Sequence, residues 1–392
     1  MSQINMRHGI FLAPFHPVDT DPTLALQRDL ELVEWLDVLG YEEAWIGEHH
    51  SAGFEIIASP ELFIAAAAER TKRIRLGTGV VSLPYHQPLM VANRIIQLDH
   101  QTKGRIMFGA GPGLLPSDAN MLGIDPSTQR DRMAQALDVI IRLFKGETVT
   151  EKTDWYTLNN ARVHLLPYSK PYPEMAVASA FTPSGGRMAG KYDLGMLCFA
   201  ATQAGGFDVL AFNWQVANDI SQELRGRPMN PEGLRLVGPV HIAETRAQAR
   251  ANVEFGIHKW RDYFSRINPL GVQSDNGKDP VEEMIRTGAA VIGTPDDAIA
   301  QIERLQKGQG GEFGCFLQMA HNWADFDATK KSYDLWQRHV ASHFRRANAN
   351  RQESIDWVTR DGRELMGGAM KAAKEMIDRH ASEQAAKTRV AE

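Results

Sequence analysis

Cysteine is nearly absent: two residues in 392. Cys198 and Cys315 each sit in an apolar run, GMLCFAA and GCFLQMA, that reads as a buried strand, so neither a disulfide framework nor a thiolate metal cluster is available. A reducing cytoplasm is the expected compartment. Positive charge is not in excess either. The 43 Lys and Arg stand against 48 Asp and Glu, the formal charge is -5, and no basic block could neutralise a phosphate backbone, which argues against nucleic acid as a partner. No run of about eighteen apolar residues exists to span a bilayer, and MSQINMRHGIFLAPFHP has too short an apolar stretch and no small-residue cleavage pattern for an export signal. No membrane partner is expected. With 43% hydrophobic and 23% charged residues, disorder is excluded as the main theme.

What is present is a repeat. HGIFLAPF (8–15) precedes TLALQRDLELVEWLDVLG (23–40), in which Leu26, Leu30, Val33 and Leu36 recur at helical spacing and Gly40 supplies the stop. EEAWIGEHH is followed by a helix from Pro60 through Glu69, IRLGTGVVSLP by a helix through Asp99, and GRIMFGAGPG by a helix from about Asp131 to Leu143. The period of roughly 30–35 residues is that of parallel strands joined by crossovers. After Lys145 a polar, hairpin-like stretch interrupts, and EMAVASAF, LGMLCFAA, LRLVGPVHIA and GEFGCFLQMA then read as four more strands. Eight parallel units close most easily into a (β/α)8 barrel, whereas a doubly wound sheet usually stops at about five or six strands. The fold expected is therefore α/β, a TIM barrel over residues 1–345, with an insertion at about 255–290 where no strand signal occurs. Residues 346–392 read as a C-terminal helical extension whose stripe of Leu365, Ala369, Ala373 and Met376 is expected to pack on the barrel or on a second subunit.

In a barrel the chemistry sits at the C-terminal ends of the strands. Glu48-His49-His50 follows AWIG, and strand alternation puts Glu48 and His50 on one side and His49 on the other. The adjacent histidines cannot easily chelate one ion, so no metal is expected; their plainest role is hydrogen bonding near a loop. GAGPG (109–113) fails as a dinucleotide fingerprint, because Leu114 takes the sixth position and Pro112 interrupts the turn. Its glycines, Gly111 among them, let a flat ligand approach the backbone or simply make tight turns. In ASAFTPSGGRMAG (178–190), Ser179, Thr182 and Ser184 precede Gly185-Gly186-Arg187 at a helix start, which is either an anion site fit for phosphate or an ordinary N-cap. Glycines, small hydroxyls, histidines and aromatics at strand ends suit a bound cofactor better than protein-based hydrolysis.

LGYEEAWIGEHHSAGFE, then IRLGTGVVSLPYHQPLMVANRIIQLDHQTKGRIMFGAGPG, then VIGTPDDAIAQIERL together resemble the bacterial luciferase-like flavin-dependent monooxygenase family over about residues 1–345, and within it the limonene monooxygenase-type group. The resemblance implies reduced FMN or FAD supplied by a separate NAD(P)H-dependent flavin reductase, dioxygen as co-substrate, and transfer of one oxygen atom from a flavin hydroperoxide to a small apolar substrate such as a monoterpene. It implies a homodimer or higher homo-oligomer. By position His49 matches the family's catalytic histidine, Gly79 and Val80 a flavin-contacting pair often joined by a cis peptide, and Ser179 and Thr182 the phosphate contacts. Relatives carry an arginine in the loop after the fourth strand where this chain has Pro112, which leaves Arg187 to meet the phosphate charge. The hydroperoxide needs a dry pocket with one proton donor, and His49 is the expected donor. Phe11, Phe15, Phe54, Leu114 and Phe199 are the expected pocket wall, each of which could equally be plain core. Two other readings are a deazaflavin-dependent hydride-transfer oxidoreductase on the same barrel, and a non-catalytic luciferase-type subunit. Retention of His49 and the glycine-rich strand ends argues against the latter.

Overall fold

The computed structural model describes residues 4–13, 15–180, 182–199, 201–202, 206–267 and 279–391. Twelve strands occur among them: β1 Arg7–Leu12, β2 Glu43–Ile46, β3 Arg75–Thr78, β4 Val81–Ser82, β5 Ile106–Gly111, β6 Val149–Lys152, β7 Thr157–Ala161, β8 Glu174–Ser179, β9 Gly195–Cys198, β10 Leu234–Ile242, β11 Val291–Gly293 and β12 Cys315–Met319. Parallel pairing runs β1, β2, β3, β5, β8, β9, β10, β12 and back to β1, the β9–β10 and β12–β1 pairs closing the ring. This is an eight-stranded α/β barrel.

Helices α1 Pro22–Leu39, α2 Pro60–Arg70, α3 Pro88–Thr102, α4 Pro116–Met121, α5 Gln129–Phe144, α6 Ser184–Tyr192, α7 Gly206–Arg225, α8 Arg246–Val253, α9 Ile257–Arg266, α10 Pro280–Thr287, α11 Pro295–Gly308 and α12 Phe326–Leu335 connect and cover the strands. The first of them shows how the sequence sets a boundary. Asp21 accepts the Leu24 N–H, Pro22 occupies the first turn where its missing N–H costs nothing, and Gly40 takes the left-handed conformation (φ 81°) that ends the helix. Leu32, Val33 and Leu36 are the face it buries.

Inside the barrel Phe11, Trp45, Met107, Leu197, Val237 and Leu317 pack together. Below them the strand starts carry charge. Fully buried Arg235 grips Glu43 through two hydrogen bonds (2.7 and 3.1 Å) and also reaches Glu174. Arg7 binds Glu43 (2.7 Å), and the Arg235 guanidinium lies 5.0 Å from the Trp45 ring centroid. Burial raises the Glu43 carboxyl's pKa, but Arg235 and Arg7 outweigh it and hold it at about 2. This end of a barrel serves stability, not chemistry.

Some sequence expectations needed adjustment. The first strand ends at Leu12, short of Phe15, which instead makes an isolated antiparallel bridge with Glu55. Among its described residues the segment at 255–290 holds no strand and instead forms α9 and α10, while residues 268–278 lie outside the described residues. VIG of the third motif is a short strand, β11, added beside β10. The polar stretch after Lys145 is the antiparallel β6–β7 hairpin. The chain divides into two compact units, Met1–Ala341 and Ser342–Glu392. In the second, one helix, Ala349–Ala391, exposes Trp357, Leu365, Met376 and Ile377. No helix among the described residues is long and apolar enough to cross a membrane.

Two buried histidines sit toward the other end of the barrel, His241 in β10 and His321 just after β12. His321 donates from Nε2 to the Val240 carbonyl (2.8 Å) and accepts the Trp323 N–H at Nδ1 (3.2 Å), so its neutral tautomer is fully used. Burial lowers its pKa to about 3, and burial lowers that of His241 to about 4, from 6.5. Both folded values lie below the unfolded value, so the unfolded chain binds more protons, and the stabilisation present above pH 6.5 is lost as pH falls toward 4. Each tenfold change in proton affinity between the folded and unfolded chain is worth about 1.4 kcal/mol, so the loss amounts to several kcal/mol. Urea unfolding at pH 7 and pH 4.5 is expected to show that loss, and a clearly shallower one in His321→Gln; equal slopes in the two proteins would exclude His321 as a source.

Candidate active site

His49 leaves the end of β2 with its ring 14% exposed and a carboxylate at each nitrogen. Nδ1 bonds Asp118 of α4 at 3.3 Å, and Nε2 lies 3.3 Å from Glu55. Burial pulls the imidazole pKa down, but Glu55 and Asp118 more than offset this and hold it above the ordinary histidine value. Asp118 is fixed in turn by the His50 N–H (3.2 Å) and the Ser51 hydroxyl. Glu55 accepts the Tyr263 hydroxyl of α9 (2.8 Å), which brings the inserted segment to the edge of the site.

Strand alternation sends Glu48 and His50 the other way. Glu48 accepts His50 Nε2 (2.9 Å), His86 Nε2 (2.7 Å) and the Ser82 N–H (2.8 Å), and through the last it pins β4. One carboxylate and two imidazoles are a metal-ligand set by type, and their ligand atoms lie within 4.8 Å of one another. Their protons assign another task. Arg94 Nη2 donates to His86 Nδ1 (3.4 Å), and since arginine can only donate, His86 Nε2 must carry the hydrogen it gives to Glu48. The trio is a hydrogen-bond hub that braces the strand ends. Burial raises the pKa of Glu48, but the bonds from His50 and His86 outweigh it and keep the group ionised.

Gly79 and Val80 are joined by a cis peptide between β3 and β4. Gly111, at the end of β5, faces Val80 so closely that a Cβ there would run into the Val80 side chain. Gly111 thus lets the two strand ends approach closely, with the Val80 side chain packed where a Cβ would stand. At the end of β8, Ser179 accepts the Asn213 side-chain N–H (3.1 Å), and Thr182 and Ser184 pair through their hydroxyls (2.9 Å). Gly185 packs where a Cβ would meet the Ala178 carbonyl, which lets α6 begin directly against the strand. The amides of Ser184, Gly185 and Gly186 precede the first intrahelical bond, from the Arg187 N–H to the Pro183 carbonyl (2.9 Å). Buried Asn213 Oδ1 has no partner beside this loop. Hydroxyls, first-turn amides and the exposed Arg187 are the donor types that a phosphate takes, so the residues present fit the phosphate of a flavin.

The aromatic residues fall into two groups. Phe199 stands edge-on to Phe11 at 4.7 Å, at the top of the barrel interior beside Val80. Phe15 stacks on Phe54 at 5.4 Å, and Tyr263 touches both, at 5.3 and 4.9 Å. Met319 packs against both groups. Leu114 is not part of either; at 54% exposure it does not wall a dry space in this structure. Phe181 and Ala200, within two of the strand-end segments singled out in the sequence, lie outside the described residues. Asp118, Glu55, His86 and Tyr263 escaped sequence reasoning. Only Glu55 carried a local sign, a lone charge in the apolar stretch GFEII.

A closed barrel with a helix start rich in hydrogen-bond donors, glycines at its strand ends and a histidine set between two carboxylates is an architecture that suits a cofactor-dependent oxidoreductase. The family described as luciferase-like monooxygenase matches residues 6–311, and the chain belongs to it: it is a luciferase-like flavin-dependent monooxygenase. Limonene 1,2-monooxygenase of Rhodococcus erythropolis is 46% identical over 380 residues, 97% of this chain and 97% of the relative. 4-Hydroxyprotoasukamycin monooxygenase of Streptomyces nodosus subsp. asukaensis is 45% identical over 360 residues, 91% of this chain and 96% of the relative. The type II Baeyer-Villiger oxygenating constituent of 3,6-diketocamphane monooxygenase from Pseudomonas putida, solved with FMN, superposes with a TM-score of 0.71 at 24% identity over 86% of this chain and 98% of that one, and shares the fold.

Proposed function

We propose that this enzyme inserts one atom of dioxygen into a small apolar organic substrate of the monoterpene class, by limonene-type epoxidation, using reduced FMN delivered by a separate NAD(P)H-dependent reductase. The observation that carries the reading is His49, a largely enclosed imidazole set between two carboxylates that hold its pKa above the ordinary histidine value. The 46% identity to a limonene monooxygenase over nearly the whole chain supports the substrate class. FMN is preferred to FAD because α6 offers one compact anion site. Reduced flavin, when bound, supplies the electrons that activate dioxygen.

The chain's own residues then have distinct tasks. Gly79, Val80 and Gly111 would hold the ring, and Ser179, Thr182, Ser184 and Arg187 the phosphate. Phe15, Phe54 and Phe199 exclude water and receive the apolar substrate. His49 holds a proton on Nε2 for delivery to the oxygen that leaves as water. In the same reading residues 1–345 form the catalytic domain, the extension 346–392 serves homo-oligomer formation, and the protein works in the cytoplasm.

The test is aerobic incubation of the full chain with limonene, FMN and an NADH-driven flavin reductase, followed by product analysis. Limonene oxide formed in step with oxygen uptake is expected. Tight deazaflavin binding without oxygen uptake would transfer the protein to the hydride-transfer class.

A further inference from the structure

A histidine that delivers a proton must already be protonated at working pH, and its proton must not be trapped by a neighbour. Asp118 satisfies the first requirement at Nδ1, but it is shared with the His50 N–H and the Ser51 hydroxyl and faces away from Nε2. The Nε2 side belongs to Glu55. Its two oxygens are treated differently: one takes the Tyr263 hydroxyl at 2.8 Å, while the other stands 3.3 Å from His49 Nε2. Both carboxylates stand at the same 3.3 Å from the ring, but only Asp118 meets it in hydrogen-bonding geometry. The Tyr263 bond fixes the orientation of Glu55, whose second oxygen faces Nε2 as a charge without an aligned hydrogen bond to its proton.

We propose that Glu55, anchored by Tyr263 of the inserted helix α9, is a positioning residue that keeps His49 doubly protonated with its Nε2–H available for release. This rests on the role of His49 given above. The groups around the ring are Asp118 of α4, Glu55, and Glu48 and His50 from the same strand end; His50, when protonated, opposes a second charge on His49, and the three carboxylates favour it. Tyr263 and Tyr85 reach these groups and not the ring. Tyr263 also packs on Phe15 and Phe54, so the residue that sets the carboxylate also walls the apolar space. Proton supply and substrate enclosure thus share one side chain from the insertion.

Glu55→Gln tests this, because it conserves shape, still accepts the Tyr263 hydroxyl, and turns an amide donor toward Nε2 where a charge stood. Histidine titration by NMR on the full-length protein is expected to show the His49 midpoint falling by about one pH unit or more. Coupled oxygenation is expected to fall at pH 8 and to recover toward the wild-type rate near pH 6, with KM for limonene little changed. Tyr263→Phe, which retains the ring packing, is expected to shift the midpoint in the same direction by less. An unchanged midpoint in Glu55→Gln, or a rate lowered equally at every pH, would overturn the proposal and leave the oxygenase reading standing. If His49→Gln kept full coupling, His49 would have no part in proton delivery and the proposal would fall with it, whereas a wild-type protein that consumed no oxygen with reduced flavin and limonene would sink the oxygenase reading itself.

Discussion

Replacing His49 by glutamine is expected to lower coupled oxygenation by about 10²–10⁴-fold, the range contributed by a positioned general acid. Glutamine keeps polar atoms near Asp118 and Glu55 but has no proton to give. The lesion should therefore appear in turnover and not in binding: flavin affinity, which in the proposed reading is set by Ser179, Thr182 and the start of α6, should hardly change. Reducing equivalents should still be consumed, and hydrogen peroxide should replace product nearly one for one. Oxygen electrode traces with and without catalase, beside gas chromatography of the terpene fraction, measure both quantities at once. A variant that keeps its product-to-oxygen ratio would remove His49 from the chemistry.

The barrel was legible because its elements are written locally. Each strand is a short apolar run, each helix carries its own stop and start, as Asp21, Pro22 and Gly40 show for α1, and eight repeats leave little choice of closure. His49 was legible for the same reason: its place at a strand end follows from counting along β2. Its partners were not. Asp118 opens a helix nearly seventy residues further on, Tyr263 belongs to an insertion, and Glu55 meets His49 only because the loop between them turns back to bridge Phe15. Nothing in spacing or periodicity joins these residues; ring closure does. The direction of Leu114 was hidden for the converse reason. Sequence marks it as apolar and close to a strand end, but not which way the loop after β5 faces. The charges at the strand starts were hidden in plain apolar runs, Glu43 within EEAWIG and Arg235 within LRLVG, where a single ionisable group looks tolerable until its partners are known.

Those charges give the other large effect expected. Arg235→Met should destabilise the fold by about 3–5 kcal/mol, the usual cost of breaking a buried pair from one side. Methionine fills much of the space and keeps contact with Trp45, so lost packing is small. What remains is Glu43, fully buried, with Arg7 and the Trp45 indole N–H (2.7 Å) as its partners in place of a bidentate guanidinium. Its carboxyl, now held at about 2, should move up toward the ordinary range, so the gap between variant and wild type should narrow as pH falls from about 4.5 toward 2, where the wild type loses the stability its depressed carboxyl supplies. Removing both charges, in Arg235→Met with Glu43→Gln, should cost less than the sum of the two single changes, because no ion is left buried with half its partners and Arg7, a quarter exposed, can turn to solvent. Urea unfolding of the three variants followed by far-UV circular dichroism gives the coupling energy directly. Additive costs would show that the guanidinium acts as filler; a double variant sturdier than Arg235→Met alone would show that these charges hold the barrel floor through each other, leaving the opposite mouth free to vary in loops and substrate.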